Sequence, residues 1–222
     1  MRDALIVMHA REIEPCMAAF HELDIPKIWM TGYTERGIAN IAFTEALKHD
    51  FDWFWVASDD IIIRQPALDA VRRIRDTGDH AVVTGYSQGS HTDWTVNLTS
   101  EPLRPGPLET AYVFRQYSEC VSHPDPVIPT WFTGMTMTGM SKHMWYRFPF
   151  DCFSDPGYAS DFHISTRLQE AGVPIVAARE GFAYHWRHNR IWGDERDGTC
   201  TLLGQRSVTI EYPKRQPLAV AA

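Results

Sequence analysis

The sequence lacks the features that mark membrane-spanning, disulfide-stapled and nucleic-acid-coating proteins. No apolar run approaches the ~18 residues of a membrane span. The chain has only four cysteines, and none form a C-x-x-C pair, which argues against a zinc knuckle or a thioredoxin-type motif. Bases are too few for a nucleic-acid coat or a binder of anionic membranes, because 28 acids and 21 bases give a net charge of −7.

The remaining composition is that of an ordinary globular domain. The chain has 222 residues, about 1.5 times a typical domain length, and is 44% apolar and 22% charged. We therefore predict one domain over residues 1–222. Sparse cysteines, and an N-terminus that runs into a strand-like segment rather than a signal peptide, favour a cytoplasmic location.

Apolar runs and helical patterns alternate along the first 85 residues. The predicted strands are 4–8, 27–31, 53–57 and 80–85, and the predicted helices are 15–23, 37–49 and 66–77. This alternation predicts a doubly wound α/β unit with a mostly parallel sheet. Beyond it we predict short strands and loops over 87–130, a helix over 159–171 and a strand over 174–178.

Two adjacent carboxylates, Asp59 and Asp60, directly follow the predicted strand at 53–57. In open α/β sheets, ligands bind at the carboxyl ends of the strands. Neighbouring carboxylates repel each other, and a hard divalent cation such as Mg²⁺ or Mn²⁺ relieves that repulsion. The same residues could instead form a turn or cap the next segment.

Two later positions carry similar chemistry. Asp161 opens the predicted helix at 159–171, where a carboxylate could serve as a base or simply cap the helix. His185 follows a strand-like segment and could give a metal its nitrogen ligand or fill a structural position. Each of these residues alone is weak evidence for a functional site. The order in which they follow one another along the chain is stronger evidence.

That order resembles the GT-A fold of glycosyltransferases, in particular the family-2-like nucleotide-sugar enzymes. The matching elements are Arg36-Gly-Ile-Ala-Asn40, Ser58-Asp59-Asp60, Thr133-Gly134 to Gly139, Ser160-Asp161, Arg167, Gly172 and His185. The resemblance covers roughly residues 4–188. The sequence departs from it at Ser58, where an Asp-x-Asp triplet normally begins, and at Ser160, where a Glu is usual.

The resemblance implies a single Rossmann-like GT-A domain with a mostly parallel central sheet flanked by helices. Residues 1–85 would bind the nucleotide-sugar, 86–192 would bind acceptor and metal, and 193–222 would form a tail. Asp60 and His185 would bind Mn²⁺ or Mg²⁺, and Asp59 would support the cation or hold the ribose. Asp161 would take the proton of the acceptor hydroxyl if the enzyme inverts.

The resemblance also implies partners. The donor would be a nucleotide-sugar, with a UDP-sugar first among the candidates, lying along Arg36 and Asn40 with its base near His9, Ala10 and Arg11. The resemblance does not determine the acceptor, which would be a saccharide, a glycolipid or a hydroxymethylated base in phage-type DNA. The setting would be the cytoplasm of a bacterial or phage-infected cell.

Two other functions stay open. A nucleotidyltransferase shares the sheet and a metal-binding Asp, but it normally has a glycine-rich phosphate loop after the first strand, and residues 9–14 contain no glycine. A non-catalytic nucleotide-sugar-binding module is the other possibility, motivated by Ser58. Two segments suit either a ligand or ordinary structure: the small residues of 130–139 and the interleaved aromatics and bases of 184–192.

Overall fold

The computed structural model describes residues 1–32, 39–89, 94–104, 113–149, 160–186 and 201–213. The strands are β1 (Asp3–His9), β2 (Arg11–Glu12), β3 (Lys27–Thr31), β4 (Trp53–Ser58), β5 (Ile61–Ile62), β6 (Val82–Ser87), β7 (Thr95–Thr99), β8 (Phe114–Gln116), β9 (Val127–Thr130), β10 (Thr138–Ser141), β11 (Ile175–His185), β12 (Thr201–Leu202) and β13 (Ser207–Glu211). The helices are α1 (Glu14–Glu22), α2 (Ala39–Ala46), α3 (Gln65–Asp76), α4 (Tyr117–Val121), α5 (Lys142–Arg147) and α6 (Ser160–Glu170). In these ranges no helix has the length and apolar character needed to cross a membrane.

The architecture is α/β, built on one large sheet. Its strands lie in the order β13-β3-β1-β4-β10-β6-β11-β5, and β9 also pairs with β11. Strands β3 and β4 are both parallel to β1, and β11 is parallel to β6. Because β10 is antiparallel to both β4 and β6, these five strands run in one direction and their carboxyl ends share one edge.

The sheet is mixed, which corrects the prediction of a mostly parallel one. Strands β5, β9, β10 and β13 all pair antiparallel to their neighbours. The alternation in the first 85 residues predicts only parallel strands, because the segments that lead from β1 to β3, from β3 to β4 and from β4 to β6 each contain a helix that returns the chain to the opposite edge. The antiparallel strands β9, β10 and β13 come from later in the chain, where no such alternation exists.

Both faces of the sheet are covered, which explains the unbroken apolar runs in its central strands. In β1, Leu5 and Val7 belong to the core under α1 and α3, whereas Ala4 and Ile6 belong to the core under α2, α5 and α6. A strand with two buried faces is apolar at successive positions instead of alternating. The predicted strands at 4–8, 27–31, 53–57 and 80–85 are confirmed as β1, β3, β4 and β6.

The predicted tail contributes a strand to this sheet. β13 pairs antiparallel with the whole of β3, and Glu211 accepts a hydrogen bond from the indole N–H of Trp29 at 3.0 Å. Gly32, directly after β3, has a φ of +74°, and a Cβ there would overlap the carbonyl group of Gln205. Glycine at position 32 therefore lets the chain between β12 and β13 pass close to the end of β3.

Glycine 139 shows how tightly β10 is inserted between its neighbours. Gly139 lies opposite Trp55 in the pairing of β10 with β4, and a Cβ there would overlap the rings of Trp55 and Trp53. We expect Gly139→Ala to destabilise the protein by ~1–3 kcal/mol through overpacking, measured by urea unfolding. Gly204→Ala is the matched control, because nothing lies within 4 Å of a Cβ at that position. Equal stability of the two variants would contradict this packing.

Candidate functional site

Four of the predicted site residues collect at the edge where the five parallel strands end. Asp59 and Asp60 follow β4, Arg11 lies just beyond β1, and His185 ends β11. This edge is where open α/β sheets bind ligands. The shared direction of the strands, rather than proximity along the chain, brings these side chains together.

A short strand pairing joins Asp60 to His185. Strand β5 begins immediately after Asp60 and pairs antiparallel with the end of β11, which puts Ile61 opposite His185. The N–H of Trp186 donates to the carbonyl oxygen of Asp60 at 2.6 Å. As a result, Nε2 of His185 lies 3.2 Å from Oδ2 of Asp60.

The other nitrogen of the His185 ring is also in use. Nδ1 lies 3.4 Å from the carbonyl oxygen of Gln88, at the end of β6. A histidine that binds a metal through one nitrogen usually donates the other N–H to a carbonyl or carboxylate, which fixes the orientation of the ring. The contact with Gln88 thus orients His185 with Nε2 toward Asp60.

Asp59 has a different environment from its neighbour. Its Oδ2 accepts the backbone N–H groups of Ala10 and Arg11 at 2.8 and 2.6 Å. Its Oδ1 accepts Nε and Nη2 of the Arg11 guanidinium at 3.2 and 2.6 Å. A carboxylate has about four lone-pair sites, so Asp59 is saturated as it stands. It holds the turn after β1, and the metal role predicted for it stays a prediction.

Asp60 is the carboxylate that contacts His185 as well as Arg11. It is buried, and burial alone would raise its pKa, but hydrogen bonds from His185 and Ser58 and the charge of Arg11 hold the pKa well below its ordinary value. Arg11 Nη2 lies 2.9 Å from the same Oδ2 that faces His185. Asp60 is therefore ionised across the physiological pH range and carries its charge at the strand ends.

Asp161 approaches the same edge from the other face of the sheet. It lies in the first turn of α6, and its Oδ1 accepts the N–H of Phe162 at 2.8 Å. Burial raises the pKa of Asp161 to about 6, although the N–H of Phe162 and the charge of His185 pull it downward. A carboxyl group with a pKa of about 6 can gain and lose a proton near neutral pH.

Buried hydroxyl groups connect α6 to the strands. Ser165 Oγ accepts the N–H of Thr133 at 3.0 Å and donates to the carbonyl oxygen of Asp161 at 2.6 Å. Thr84 and Thr133 extend this network to Thr138. Residues 132–140 are all buried, so the small residues of 130–139 are mainly structural in this fold and support the start of α6.

The remaining predicted donor residues are placed as follows. His9 is largely buried, with Nδ1 3.3 Å from the hydroxyl of Thr31 and Nε2 3.0 Å from Glu12. Arg36 lies outside the described residues. Asn40 lies in the first turn of α2, and its side chain is outside the described part of the structure. The nucleotide-binding roles of Arg36 and Asn40 therefore stay predictions.

Two features of the site are not evident from the sequence. Ser58 departs from an acidic triplet, yet its hydroxyl helps to hold the pKa of Asp60 below the ordinary value. Arg11 was expected near a nucleobase, but its guanidinium contacts both carboxylates. The adjacent acids were themselves a signal, because two buried carboxylates require a cation, either a metal ion or a nearby base.

Comparisons with known proteins bear on the fold but not on the activity. No protein-family model matches the chain, and no curated protein matches it. Among solved structures, the crystal structure of A197 from STIV is similar, with a TM-score of 0.57 over 99% of this chain and 100% of that chain. The two sequences are 14% identical, so the likeness shows a shared fold alone.

Proposed function

We propose that the protein is a glycosyltransferase that moves a sugar from a nucleotide-sugar, a UDP-sugar first among the candidates, to a hydroxyl acceptor. The observation that carries the proposal is the Asp60–His185 pair at the carboxyl edge of the sheet, with Arg11 beside it. Asp161 is close enough for the charge of His185 to affect its pKa. Together they supply two cation ligands, a guanidinium and a base.

The residues at this edge fit a divalent cation held by two protein ligands. Among the described residues, no group of three or more His, Cys, Asp or Glu side chains is arranged to hold a metal. Asp60 and His185 are two such ligands, and cations of this kind are often held by one or two protein groups together with substrate phosphates. Because Mg²⁺ favours all-oxygen sites, the nitrogen of His185 favours Mn²⁺.

The bound cation would neutralise the negative charge that develops on the leaving diphosphate. Arg11 would serve the same group through its guanidinium, which matches phosphate geometry and stays charged. Asp59 holds Arg11 in place through both Nε and Nη2. Because Nη2 also contacts Asp60, the guanidinium would serve a diphosphate from this fixed position beside both carboxylates.

Asp161 would accept the proton of the acceptor hydroxyl in an inverting transfer. A general base works best when its pKa lies near the operating pH, and burial raises the pKa of Asp161 to about 6. The hydroxyl of Ser165 and the N–H of Phe162 fix the first turn of α6, and with it the carboxyl group. This role follows from the position of the group at the strand ends.

A thermal-shift panel tests the proposal. We expect one class among UDP-, GDP-, CMP- and dTDP-sugars to raise the melting temperature in Mn²⁺, because a ligand of the folded state stabilises it by mass action. EDTA should remove most of the shift, and excess Mn²⁺ should restore it. The same donor should then release nucleoside diphosphate, measured by chromatography.

Other outcomes would assign the site differently. Release of pyrophosphate instead of nucleoside diphosphate would mean a nucleotidyltransferase. Donor binding without release, across a panel of sugar and glycolipid acceptors and hydroxymethylated DNA, would mean a non-catalytic binding module. No shift with any donor, with or without Mn²⁺, would rule out the proposed site.

A further inference from the structure

Four aromatic side chains form a partly exposed patch on the α6 side of the sheet. The aromatic patch consists of Trp94, Tyr117, Phe182 and Tyr184. Trp94 is 58% exposed and Tyr184 is 61% exposed, whereas Tyr117 and Phe182 are partly buried. A contiguous aromatic surface of this kind commonly marks a binding site.

The four rings form a continuous row, and a buried residue packs beneath it. Ring centroids are 6.0 Å apart between Trp94 and Tyr117, 4.8 Å between Tyr117 and Phe182, and 5.2 Å between Phe182 and Tyr184. Phe182 rests on the fully buried Tyr86, at 5.5 Å, and the hydroxyl of Tyr86 donates to the carbonyl oxygen of Arg179 at 2.7 Å. The patch is therefore a preformed surface whose rings lose little freedom on binding a ligand.

The backbone of Trp94 is held in an unusual conformation that keeps its ring in the patch. Its φ is +55°, a value that bulky side chains rarely adopt. The N–H of Tyr117 donates to the carbonyl oxygen of Trp94 at 2.9 Å, which fixes this conformation. Strain of this kind in an exposed aromatic residue points to a function for the side chain.

The patch adjoins the candidate site and lies on the same face as Asp161. Tyr184 directly precedes His185 in β11. On β6, Val82 packs with the core that includes Ile164 of α6. Tyr86 lies four residues later on the same face of β6, in the cluster against which Phe182 of the patch packs. A molecule lying on the aromatic rings can thus present a group to the edge where Asp161 lies.

The charged side chains near the patch, in the part of the chain that the structure describes, favour a neutral occupant. Single-stranded nucleic acids need cations that follow the backbone as well as aromatic rings. The two arginines nearest in sequence to the patch among the described residues are directed elsewhere: Nη2 of Arg115 donates to the carbonyl of Pro129, and Nη1 of Arg179 donates to that of His123. A pyranose ring is neutral, and its polarised C–H face is attracted to the negative face of an aromatic ring.

We propose that the aromatic patch binds a neutral saccharide, which is the acceptor of the transfer. The acceptor role rests on the proposed function, whereas the binding of saccharide rests only on the patch. The rings would hold one or more sugar units through their C–H faces. An adjoining sugar would then extend toward Asp161 with a free hydroxyl.

Saturation-transfer NMR with defined oligosaccharides tests the proposal. The probes are maltopentaose, cellopentaose, a β-1,3-linked glucopentaose, α-mannopentaose and N-acetylchitopentaose, with a single-stranded DNA decamer as the competing ligand. We expect at least one oligosaccharide to bind, with the strongest saturation on the C–H protons of one ring face. Trp94→Gly and Tyr184→Ala should weaken its binding about tenfold or more.

Two controls keep the result interpretable. Tyr146 is 50% exposed on α5, away from the patch, so Tyr146→Ala should change binding less than twofold. Glycine suits the positive φ at position 94, so Trp94→Gly should stay folded, as checked by circular dichroism and melting temperature. Binding that survives both patch substitutions, or no binding by any of the five oligosaccharides, would overturn the proposal. DNA binding tighter than any sugar and lost in the patch variants would overturn it in favour of nucleobases.

This outcome is separable from that of the proposed function. If a donor stabilises the protein but no oligosaccharide binds, only the saccharide patch fails. If an oligosaccharide binds through the patch but no nucleotide-sugar does, the proposed transferase fails, and a saccharide-binding surface remains. Nucleoside diphosphate release should rise with the bound oligosaccharide and fall back in Trp94→Gly when both proposals hold.

Discussion

Asp161→Asn is expected to lower kcat for sugar transfer by a factor of about 10²–10⁴ while donor binding changes only a few-fold. Asparagine keeps the shape of the side chain and can still accept the N–H of Phe162, but it cannot take up a proton. Steady-state kinetics with the donor found by thermal shift measures the effect. Asp79→Asn, in an exposed turn after α3, is the matched control and should leave kcat unchanged.

The ionisation of Asp161 should also determine how the rate of sugar transfer depends on pH on the acid side of the profile. Burial raises the pKa of Asp161 to about 6, so the base is mostly protonated below pH 6 and mostly ionised above it. Transfer should therefore rise about tenfold per pH unit below pH 6 and level off above it. A profile with no inflection near pH 6, or an Asp161→Asn variant with the same limb, would remove Asp161 from this role.

Stability should move in the opposite direction to activity in this variant. A raised pKa means that the folded protein disfavours the ionised form of Asp161, so the stability falls as the pH rises from the ordinary pKa of 3.8 to about 6, and the whole cost is present above that. A neutral asparagine avoids that cost. Asp161→Asn should unfold in urea at an equal or higher midpoint than the wild type at pH 8, which also shows that lost activity is not lost folding.

Both adjacent acids should be costly to the fold when replaced by asparagine. Asp59→Asn should cost ~3–5 kcal/mol of stability, because an amide N–H₂ would face the donors of Arg11 and Ala10 in a buried ion pair. Asp60→Asn should cost a similar ~3–5 kcal/mol, because a pKa held well below its ordinary value means that the charge of Asp60 stabilises the fold, and the amide would leave His185 and Arg11 without that charge. Urea unfolding measures both values.

The donor assay should distinguish the two variants. Asp60→Asn should lose the Mn²⁺-dependent part of the thermal shift, because it lacks a charged oxygen beside His185. Asp59→Asn should keep that part at temperatures where it is folded. If Asp59→Asn lost the metal dependence and Asp60→Asn retained it, the assignment of the two carboxylates would have to be exchanged.

Local patterns predict the parallel half of the sheet well. The predicted strand at 27–31 coincides with β3, and the predicted helix at 66–77 differs by one residue at each end from α3. These elements are buried on both faces or on one clear stripe, so burial alone dictates their residue types. The helix predicted at 159–171 is likewise confirmed as α6.

The later strands are harder to predict from the sequence, for physical reasons. β10 has four residues, including Gly139, which has no side chain because the ring of Trp55 takes its place. β11 continues to His185, well beyond the predicted 174–178, because Arg179 and Glu180 interrupt its apolar run at an irregularity in the pairing. β13 alternates Val208 and Ile210 with polar residues, a pattern that could have identified it.

The candidate site is only partly readable from the sequence. The rule that ligands bind where parallel strands end correctly brings Asp60 and His185 together, at 3.2 Å. Which of the two adjacent acids contacts His185 depends on tertiary structure, and so does the position of Arg11 beside both of them. The aromatic patch is also hidden, because Trp94, Tyr117 and Tyr184 come from separate elements.

The insertion of β10 between β4 and β6 has a consequence for how the protein assembles during synthesis. Strand β4 is made early, yet one of its edges stays unpaired until residues 138–141 leave the ribosome, and β3 waits longer still for residues 207–211. Contacts so distant along the chain make folding slow. Until these contacts form, the incomplete sheet exposes strand edges with which other chains can pair. Slower translation, or a chaperone that shields those edges, should therefore raise the yield of native protein.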